Sequence, residues 1–125
     1  MSAPGAIHVL LVEPDGAAAR SLASGLEASG CQVSVFPDYR GALALIESGE
    51  QLTVMVTSLQ LPAGTPHGVA LANMAAQKRP GLPVVFMSED VASAQWVDER
   101  WGPVLFKPID VDSLASAMKR AIEDR

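Results

Sequence analysis

The sequence predicts a three-layer α/β domain, in which a five-stranded parallel sheet is covered by helices on both faces. Short apolar runs alternate along the chain with segments of helical period, and Gly, Pro and Asp separate them. Each connection between successive runs is long enough to hold a helix, as parallel neighbours require. We expect right-handed connections, with any functional site beyond the carboxyl ends of the strands.

The first strand is predicted over residues 7–12, a β-branched run that is apolar on both faces, as a central parallel strand requires. Asp15 follows and is predicted to cap a helix whose Leu22 and Leu26 repeat at helical spacing. Gly30 is expected to end that helix, and the second strand is predicted over residues 31–36.

Asp38 is predicted to cap the second helix, and Gly49 to close it before a third strand over residues 52–57. The next stretch, residues 58–67, contains two prolines and a glycine, which predict a loop. A third helix then runs until Arg79.

The fourth strand is predicted over residues 83–87 and the fifth over residues 104–106, with a weaker helical segment over residues 91–101 between them. The last helix has the clearest pattern, because Asp110 can cap it and apolar residues repeat at helical spacing as far as Ile122. The pattern therefore predicts five strands and five helices.

The composition fits one domain. The chain has 125 residues, of which 49% are hydrophobic and 18% charged. A chain of this length buries about two thirds of the surface that it exposes when unfolded, so it needs no disulfide or metal to hold a core. We expect residues 1–125 to form a single domain with an ordered core over about residues 6–124.

Composition and charge argue against several classes of protein. The sequence has neither an apolar stretch of about 18 residues nor the basic and apolar start of a signal peptide. The net charge of −5 disfavours direct nucleic-acid binding, because a phosphate backbone would be repelled. The single Cys31 agrees with a reducing compartment and is predicted to be a small core residue. We therefore expect a cytoplasmic domain without membrane contact.

Polar residues follow four of the predicted strands at the edge where a site is expected. Glu13 and Asp15 follow the first strand, Ser58 the third, Ser88 the fourth and Lys107 the fifth. We expect Lys107 to form an ion pair with Glu13 across the strand ends.

These residues resemble, in type and spacing, the receiver domain of two-component response regulators. Ser58 lies 45 positions after Glu13, at the phosphoacceptor position, and Pro62 resembles the proline of the following loop. Ser88 stands where the family keeps Thr or Ser, and Lys107 precedes a proline as the family's lysine does. The resemblance covers residues 7–125 and implies the doubly wound (βα)5 fold, which is flavodoxin-like and CheY-like.

Two departures from the family pattern predict a degenerate receiver. The phosphoacceptor position holds Ser58, whose hydroxyl is a poor acceptor without a general base and offers no charge to Mg²⁺. Pro14 replaces the second acid, which leaves Glu13 and Asp15 as a residual acidic pocket. Asp15 is better explained as a helix cap than as a metal ligand. We expect no catalytic residue, no metal, weak or absent Mg²⁺ binding and no other cofactor.

The resemblance also implies an altered switch. Ser88 is kept, but the aromatic position three residues before Lys107 holds Val104, so the switch lacks its moving ring. Ser88 and Lys107 are 19 positions apart, a few fewer than the family usually has, which indicates that the fourth helix or its loops are trimmed. Trp96 and Trp101 fall in this segment, where they either fill the gap against the sheet or form an exposed anchor for a partner.

The resulting hypothesis is an atypical receiver domain in two-component signal transduction, which acts as a phosphorylation-independent protein-interaction module and not as an enzyme. The expected partner is a protein: a kinase, an output domain or another signalling protein, with a homodimer as a further assembly. Two alternatives stay open. One is a phosphorelay receiver with Glu13 or Asp15 as acceptor; the other is a small-ligand-binding flavodoxin-like domain, although the turn at residues 13–16 lacks a glycine-rich phosphate cradle.

Overall fold

The computed structural model describes residues 6–98, 101 and 103–124, and it has the predicted three-layer architecture. The strands are β1 (His8–Val12), β2 (Gln32–Phe36), β3 (Val54–Ser58), β4 (Val84–Ser88) and β5 (Val104–Phe106). The helices are α1 (Gly16–Ala28), α2 (Tyr39–Glu47), α3 (Gly68–Lys78) and α4 (Val111–Glu123), with a 3₁₀ helix at Ala92–Trp96. No helix in the described part of the chain is long and apolar enough to cross a membrane.

The five strands form one parallel sheet in the order β2-β1-β3-β4-β5. The chain moves from β1 to one side to form β2, and then crosses back over β1 to form β3. The strand order therefore reverses between β1 and β3, which are paired with Val12 beside Thr57. In doubly wound sheets this reversal opens a crevice at the carboxyl ends of the strands, and Glu13 and Ser58 flank it here.

Two apolar clusters fill the space on the two faces of the sheet. One lies under α1 and α4, where Leu26, Leu114 and Met118 pack against β1, β3 and β4. The other lies under α2 and α3, where Ile46 and Leu71 pack on the opposite face. The three central strands are buried along their whole length, as their apolar sequences predict.

The predicted caps and stops are confirmed. Asp15, Asp38 and Asp110 accept hydrogen bonds from backbone N–H groups in the first turns of α1, α2 and α4. Gly30 and Gly49 follow α1 and α2 with φ of 98° and 84°, in the left-handed region that glycine adopts without strain. Cys31 lies less deep than predicted: it is partly buried against the first cluster, and this burial raises the pKa of its thiol.

The prediction of a helix over residues 91–101 is wrong, because the described residues of that segment form only the short 3₁₀ helix. Residues 89–103 connect two adjacent parallel strands, and they are fewer than the residues 37–53 that hold α2 between β2 and β3. An aromatic side chain packs on the sheet instead: the Trp101 ring lies edge-on to the buried Phe86, with 6.0 Å between ring centroids.

The cap of α4 predicts a pH effect on stability. Hydrogen bonds from the backbone N–H and hydroxyl of Ser113 hold the pKa of Asp110 below its ordinary range. A carboxyl group with a lowered pKa stabilises the fold at pH values where the carboxylate is charged. This stabilisation is lost as the pH falls below about 4 and through the pKa of the folded state. We expect the Asp110→Asn variant to lose less stability than the parent between pH 5 and pH 3, as measured by thermal unfolding; an equal loss would contradict this.

Gly68 predicts a second stability effect, because it touches the end of β3. A Cβ at this position would lie 2.3 Å from the Ser58 carbonyl oxygen and 2.9 Å from the Leu59 Cα, and backbone atoms cannot move aside cheaply. We expect Gly68→Ala to destabilise the fold by about 1–3 kcal/mol in urea unfolding. Gly16→Ala is the matched control, since its Cβ would meet only the flexible Arg20 side chain. Equal stabilities of the two variants would contradict the close approach.

Candidate functional site

The carboxylate of Glu13 is the centre of the polar group at the strand ends. It follows β1, its side chain is 2% exposed, and its Oε1 lies 2.7 Å from the Lys107 Nζ. The Ser58 hydroxyl donates to the same oxygen at 3.0 Å, and the Asp15 backbone N–H donates to Oε2 at 3.0 Å. The predicted Glu13–Lys107 ion pair is therefore confirmed.

These contacts compensate the buried negative charge of Glu13. A buried carboxylate is tolerated where it is paired and its lone pairs accept hydrogen bonds, and Glu13 meets both conditions. Lys107 is 21% exposed, so the ion pair is largely shielded from water. The group formed by Glu13, Lys107 and Ser58, which we call the strand-end triad, is thus complete without a ligand.

Ser58, the last residue of β3, is buried, and its hydroxyl group donates its hydrogen bond to the Glu13 carboxylate. Its backbone carbonyl accepts a bond from the neighbouring Thr57 hydroxyl at 3.0 Å. Gly68 closes the space beside that carbonyl. The Ser58 side chain is therefore an internal hydrogen-bond donor in this structure.

The two predicted pocket acids do not converge on one point. Asp15 is exposed, and its Oδ1 accepts bonds from the backbone N–H groups of Ala17 and Ala18, at 3.0 and 3.2 Å, as the N-cap of α1. Glu13 points inward to Lys107. Within residues 6–98, 101 and 103–124, no group of three or more His, Cys, Asp or Glu side chains could hold a metal. Mg²⁺ is bound in proteins through one or two carboxylates together with water, and this arrangement does not offer it Glu13 and Asp15 as a pair, because one is paired with Lys107 and the other caps α1.

Ser88, at the end of β4, is part of a hydrogen-bonded bridge to the loop after β3. Its hydroxyl donates to the Asp90 carbonyl at 2.7 Å and accepts from the Gln60 Nε2 at 3.3 Å. The Gln60 Oε1 accepts from the Glu89 backbone N–H at 3.1 Å. The sequence pattern did not predict a role for Gln60. The available signal was its position two residues after Ser58, beside the strand ends, together with an amide that can donate and accept at once.

A contact between two rings joins the loop before α3 to the last residue of the 3₁₀ helix. His67 caps α3 by accepting the Ala70 N–H on Nδ1 at 3.2 Å, and its ring lies 5.7 Å from the Trp96 ring centroid to centroid. The loop between β3 and α3 therefore contacts the crossover at both ends, through Gln60 at the start and His67 at the finish.

The two tryptophans have different surroundings. Trp101 is partly buried against Phe86 and so fills the gap beside the sheet, whereas Trp96 is 51% exposed. Val104 packs partly buried in the second cluster. Phe106, two residues further along β5 and so on the same face of the strand, is 45% exposed. An aromatic ring is thus present on that face of β5, but two positions beyond Val104.

A cavity of about 520 Å³ lies between α1 and the segment from Lys107 to Ile109. Its walls include Leu22 and Met87, and Glu13 and Lys107 lie at its polar side. The size falls in the range of small-molecule sites. The small-ligand alternative therefore stays a prediction, and a thermal-shift screen would reveal it.

The bridge through Gln60 predicts a local change in dynamics. Replacing Gln60 with Ala removes the acceptor of the Glu89 N–H and one donor to Ser88. We expect faster amide hydrogen exchange at Glu89 and Asp90, with little change in the β1 amides. Gln51→Ala is a suitable control, since this exposed glutamine lies near the opposite end of the sheet. Unchanged exchange at Glu89 in Gln60→Ala would show that the bridge does not order the loop.

Comparison with known proteins agrees with this architecture. The model of the response regulator receiver domain family matches residues 9–119. A response regulator receiver protein from Sinorhizobium medicae WSM419 is 21% identical with a TM-score of 0.83, over 97% of this chain and 98% of that one. A CheY-like receiver domain protein from Methanospirillum hungatei JF-1 is also 21% identical with a TM-score of 0.83, over 95% of each chain. The receiver domain of the hybrid histidine kinase CckA is 26% identical with a TM-score of 0.77, over 92% of this chain and 98% of that one. A search of curated proteins found no match.

Proposed function

The chain belongs to the response regulator receiver domain family of two-component signalling, and from this premise we propose that it acts by binding a protein partner without being phosphorylated. Receiver domains are generally non-catalytic signalling modules, and we extend this to the present chain. The proposed place of action is the cytoplasm.

The strand-end triad is the observation that carries the proposal. Phosphoryl transfer to a receiver needs a carboxylate nucleophile, a bound Mg²⁺ and a lysine that neutralises developing charge. At the corresponding positions of this chain the nucleophile is the neutral Ser58 hydroxyl, and Pro14 supplies no side-chain ligand. Lys107 is already paired with Glu13 at 2.7 Å. Two of the three requirements, the nucleophile and the metal ligands, are therefore impaired, each by a different residue.

The proposed partner is a kinase, an output domain or another signalling protein. Receiver domains similar to this one occur in a hybrid histidine kinase and in a response regulator/sensory box/GGDEF 3-domain protein from Carboxydothermus hydrogenoformans. The exposed Trp96 is the aromatic side chain that we assign to the partner surface, with Trp101 supporting the segment from beneath.

Intact-mass spectrometry after incubation with Mg²⁺ and acetyl phosphate tests the proposal. We expect no mass gain on the parent protein. A gain of one phosphoryl group that hydroxylamine removes would contradict phosphorylation-independent action. Glu13→Gln and Asp15→Asn would then locate the acceptor, since loss of the signal in one of them would favour the non-standard phosphorelay alternative.

A further inference from the structure

β2 is the less protected of the two edge strands of the sheet. It pairs with β1 over all five of its residues, from Gln32 to Phe36, and no strand lies beyond it in the described part of the chain. The other edge strand, β5, has only three residues, with Pro103 before it and Lys107 after it. Short length, proline and lysine commonly protect a sheet edge from pairing with another chain. β2 is longer and contains neither proline nor a charged residue, so the strand itself does not prevent such pairing.

The ladder with β1 determines which backbone groups of β2 point outwards. The Gln32 N–H donates to the carbonyl of Ile7, just before β1, at 2.9 Å. In a parallel ladder a residue directs its N–H and C=O to one neighbouring strand, and the next residue directs both to the other side. Every second residue of β2, beginning with Gln32, therefore bonds to β1. Val33 and Val35 lie between these residues, and their N–H and C=O groups point away from β1.

The side chains of these two valines lie on the face of the sheet that α1 covers. Val33 is partly buried against the first cluster. Val35, two residues further along and so on the same face, is 40% exposed. The outer edge of β2 thus combines outward-directed backbone groups with an exposed β-branched side chain.

The charge around β2 indicates what this edge can bind. No charged residue lies between Glu27 and Asp38, a stretch that contains the whole of β2. A partner selected by charge needs an acidic or a basic edge, and this edge is neither. Two copies of a chain with a net charge of −5 can meet here without bringing like charges opposite each other. The uncharged edge therefore favours a second copy of the chain as its partner.

We propose that two copies of the chain pair through β2, in antiparallel orientation about a two-fold axis at Ser34. Val33 of each copy then lies opposite Val35 of the other, and each of these pairs exchanges both of its N–H···O=C hydrogen bonds. The valines of both copies lie on one face, where β-branched cross-strand pairs stabilise a sheet and cover the exposed Val35 side chains. The interface is small, so we expect a dissociation constant of about 10 μM to 1 mM.

The neighbouring registers leave incomplete pairs. A shift in one direction would place Val33 opposite Pro37, which has no N–H to donate. A shift in the other direction would place Val35 opposite Cys31, whose N–H already donates to the Leu26 carbonyl at 3.1 Å. Either pair can exchange one hydrogen bond at most. The register centred on Ser34 completes the pairing of both valines, so the edge is self-complementary in that register.

The dimer goes beyond the proposed function and does not depend on it. β2 and β5 are opposite edges of the sheet, so pairing through β2 leaves the β5 side free on each copy. A dimer with two free partner sites binds a multivalent partner more tightly than a monomer does. The mass-spectrometric test of phosphorylation is independent of this assembly, so failure of one proposal can be told apart from failure of the other.

Amide hydrogen exchange at two protein concentrations tests the pairing without any substitution. The Val33 and Val35 amides should exchange rapidly in dilute protein, and several-fold more slowly at about 1 mM, where the dimer is populated. The Gln32 and Ser34 amides, which bond to β1, should exchange slowly at both concentrations. Equal exchange of the valine amides at the two concentrations would overturn the proposal.

Two lysine substitutions separate this edge from the rest of the surface. Val35→Lys should raise the dissociation constant of the dimer about tenfold or more, because it places a charge among the paired valines. Val91→Lys is the matched control, since Val91 is a 73% exposed valine between β4 and β5 and should leave the constant unchanged. Analytical ultracentrifugation measures both. Equal effects of the two substitutions, or a parent that stays monomeric at about 1 mM, would contradict assembly through β2.

Disulfide cross-linking tests the register. Antiparallel pairing about Ser34 places this residue opposite its own copy in a non-hydrogen-bonded pair, with Cα atoms about 4.5 Å apart, a separation that a disulfide spans. In a Cys31→Ser background, Ser34→Cys should form covalent dimers on mild oxidation. Gln32→Cys is the matched control, because it lies on the same face of β2 but out of register with its own copy. Equal yields of covalent dimer from the two variants, both verified as folded by circular dichroism, would contradict the register.

Discussion

The Ser58→Asp variant is expected to unfold at a lower temperature than the parent protein in the absence of Mg²⁺, and to recover part of the loss when Mg²⁺ is added. The new carboxylate would lie in a fully buried position, within hydrogen-bond distance of the Glu13 carboxylate. One lysine would then serve two buried negative charges. Leaving a buried charge without compensation costs about 3–5 kcal/mol, so we expect a loss of that order.

Mg²⁺ should act on this variant and not on the parent. Two adjacent carboxylates form the oxygen-rich donor set that Mg²⁺ prefers, whereas the parent offers a single carboxylate that is already paired with Lys107. Mg²⁺ at a hundred times its dissociation constant would add about 2.7 kcal/mol to stability. Urea unfolding at several Mg²⁺ concentrations measures both effects.

Ser58→Asn is the matched control for the aspartate, because it has nearly the same shape without the charge. Its stability should not depend on Mg²⁺. An equal response of the parent and Ser58→Asp to Mg²⁺ would contradict our account of the strand-end triad, since it would require a metal site that does not depend on this position.

The second large effect is expected for Lys107→Met. This change keeps most of the aliphatic stem but removes the ammonium group that lies 2.7 Å from Glu13. The buried carboxylate would keep only its hydrogen bonds from Ser58 and the Asp15 backbone. We expect a loss of about 3 kcal/mol in the free energy of unfolding, as is typical when one member of a buried ion pair is removed.

A double-mutant cycle identifies the cause of that loss. Adding Glu13→Gln to Lys107→Met removes the uncompensated charge and should restore much of the stability, giving a coupling energy within the range of about 0.5–3 kcal/mol for residues in contact. Strictly additive losses would show that Lys107 stabilises the fold through its stem and not through the ion pair.

Much of the fold could be predicted because several local signals agree. β1, β3 and β4 are short apolar runs without polar alternation, and α4 has both an aspartate cap and an apolar repeat. Such agreement between local preference and global architecture is what makes an element predictable. The segment after β4 has weak apolar periodicity, so local preference did not determine its conformation, and its described residues form only a short 3₁₀ helix.

The candidate site was predictable to the extent that topology determines it. Parallel strands bring Glu13, Ser58 and Lys107 to the same end of the sheet. Glu13 and Lys107 carry opposite charges there and form an ion pair. The Gln60 bridge could not be predicted, because it depends on how closely the loop after β3 approaches the end of β4 and on one rotamer. The difference in exposure between Trp96 and Trp101 likewise depends on tertiary packing, which helical spacing does not encode.

The parallel sheet also determines which end of the molecule can be attached to a surface. β1 begins at the amino-terminal edge of the sheet, and α4 runs back to the same edge over 13 residues, a length of about 20 Å. The described chain therefore enters and leaves on the side opposite to Glu13, Ser58 and Trp96. A fluorophore, biotin or sensor-chip linkage near either residue 6 or residue 124 would leave the strand-end triad and the exposed Trp96 side chain open to binding partners in solution.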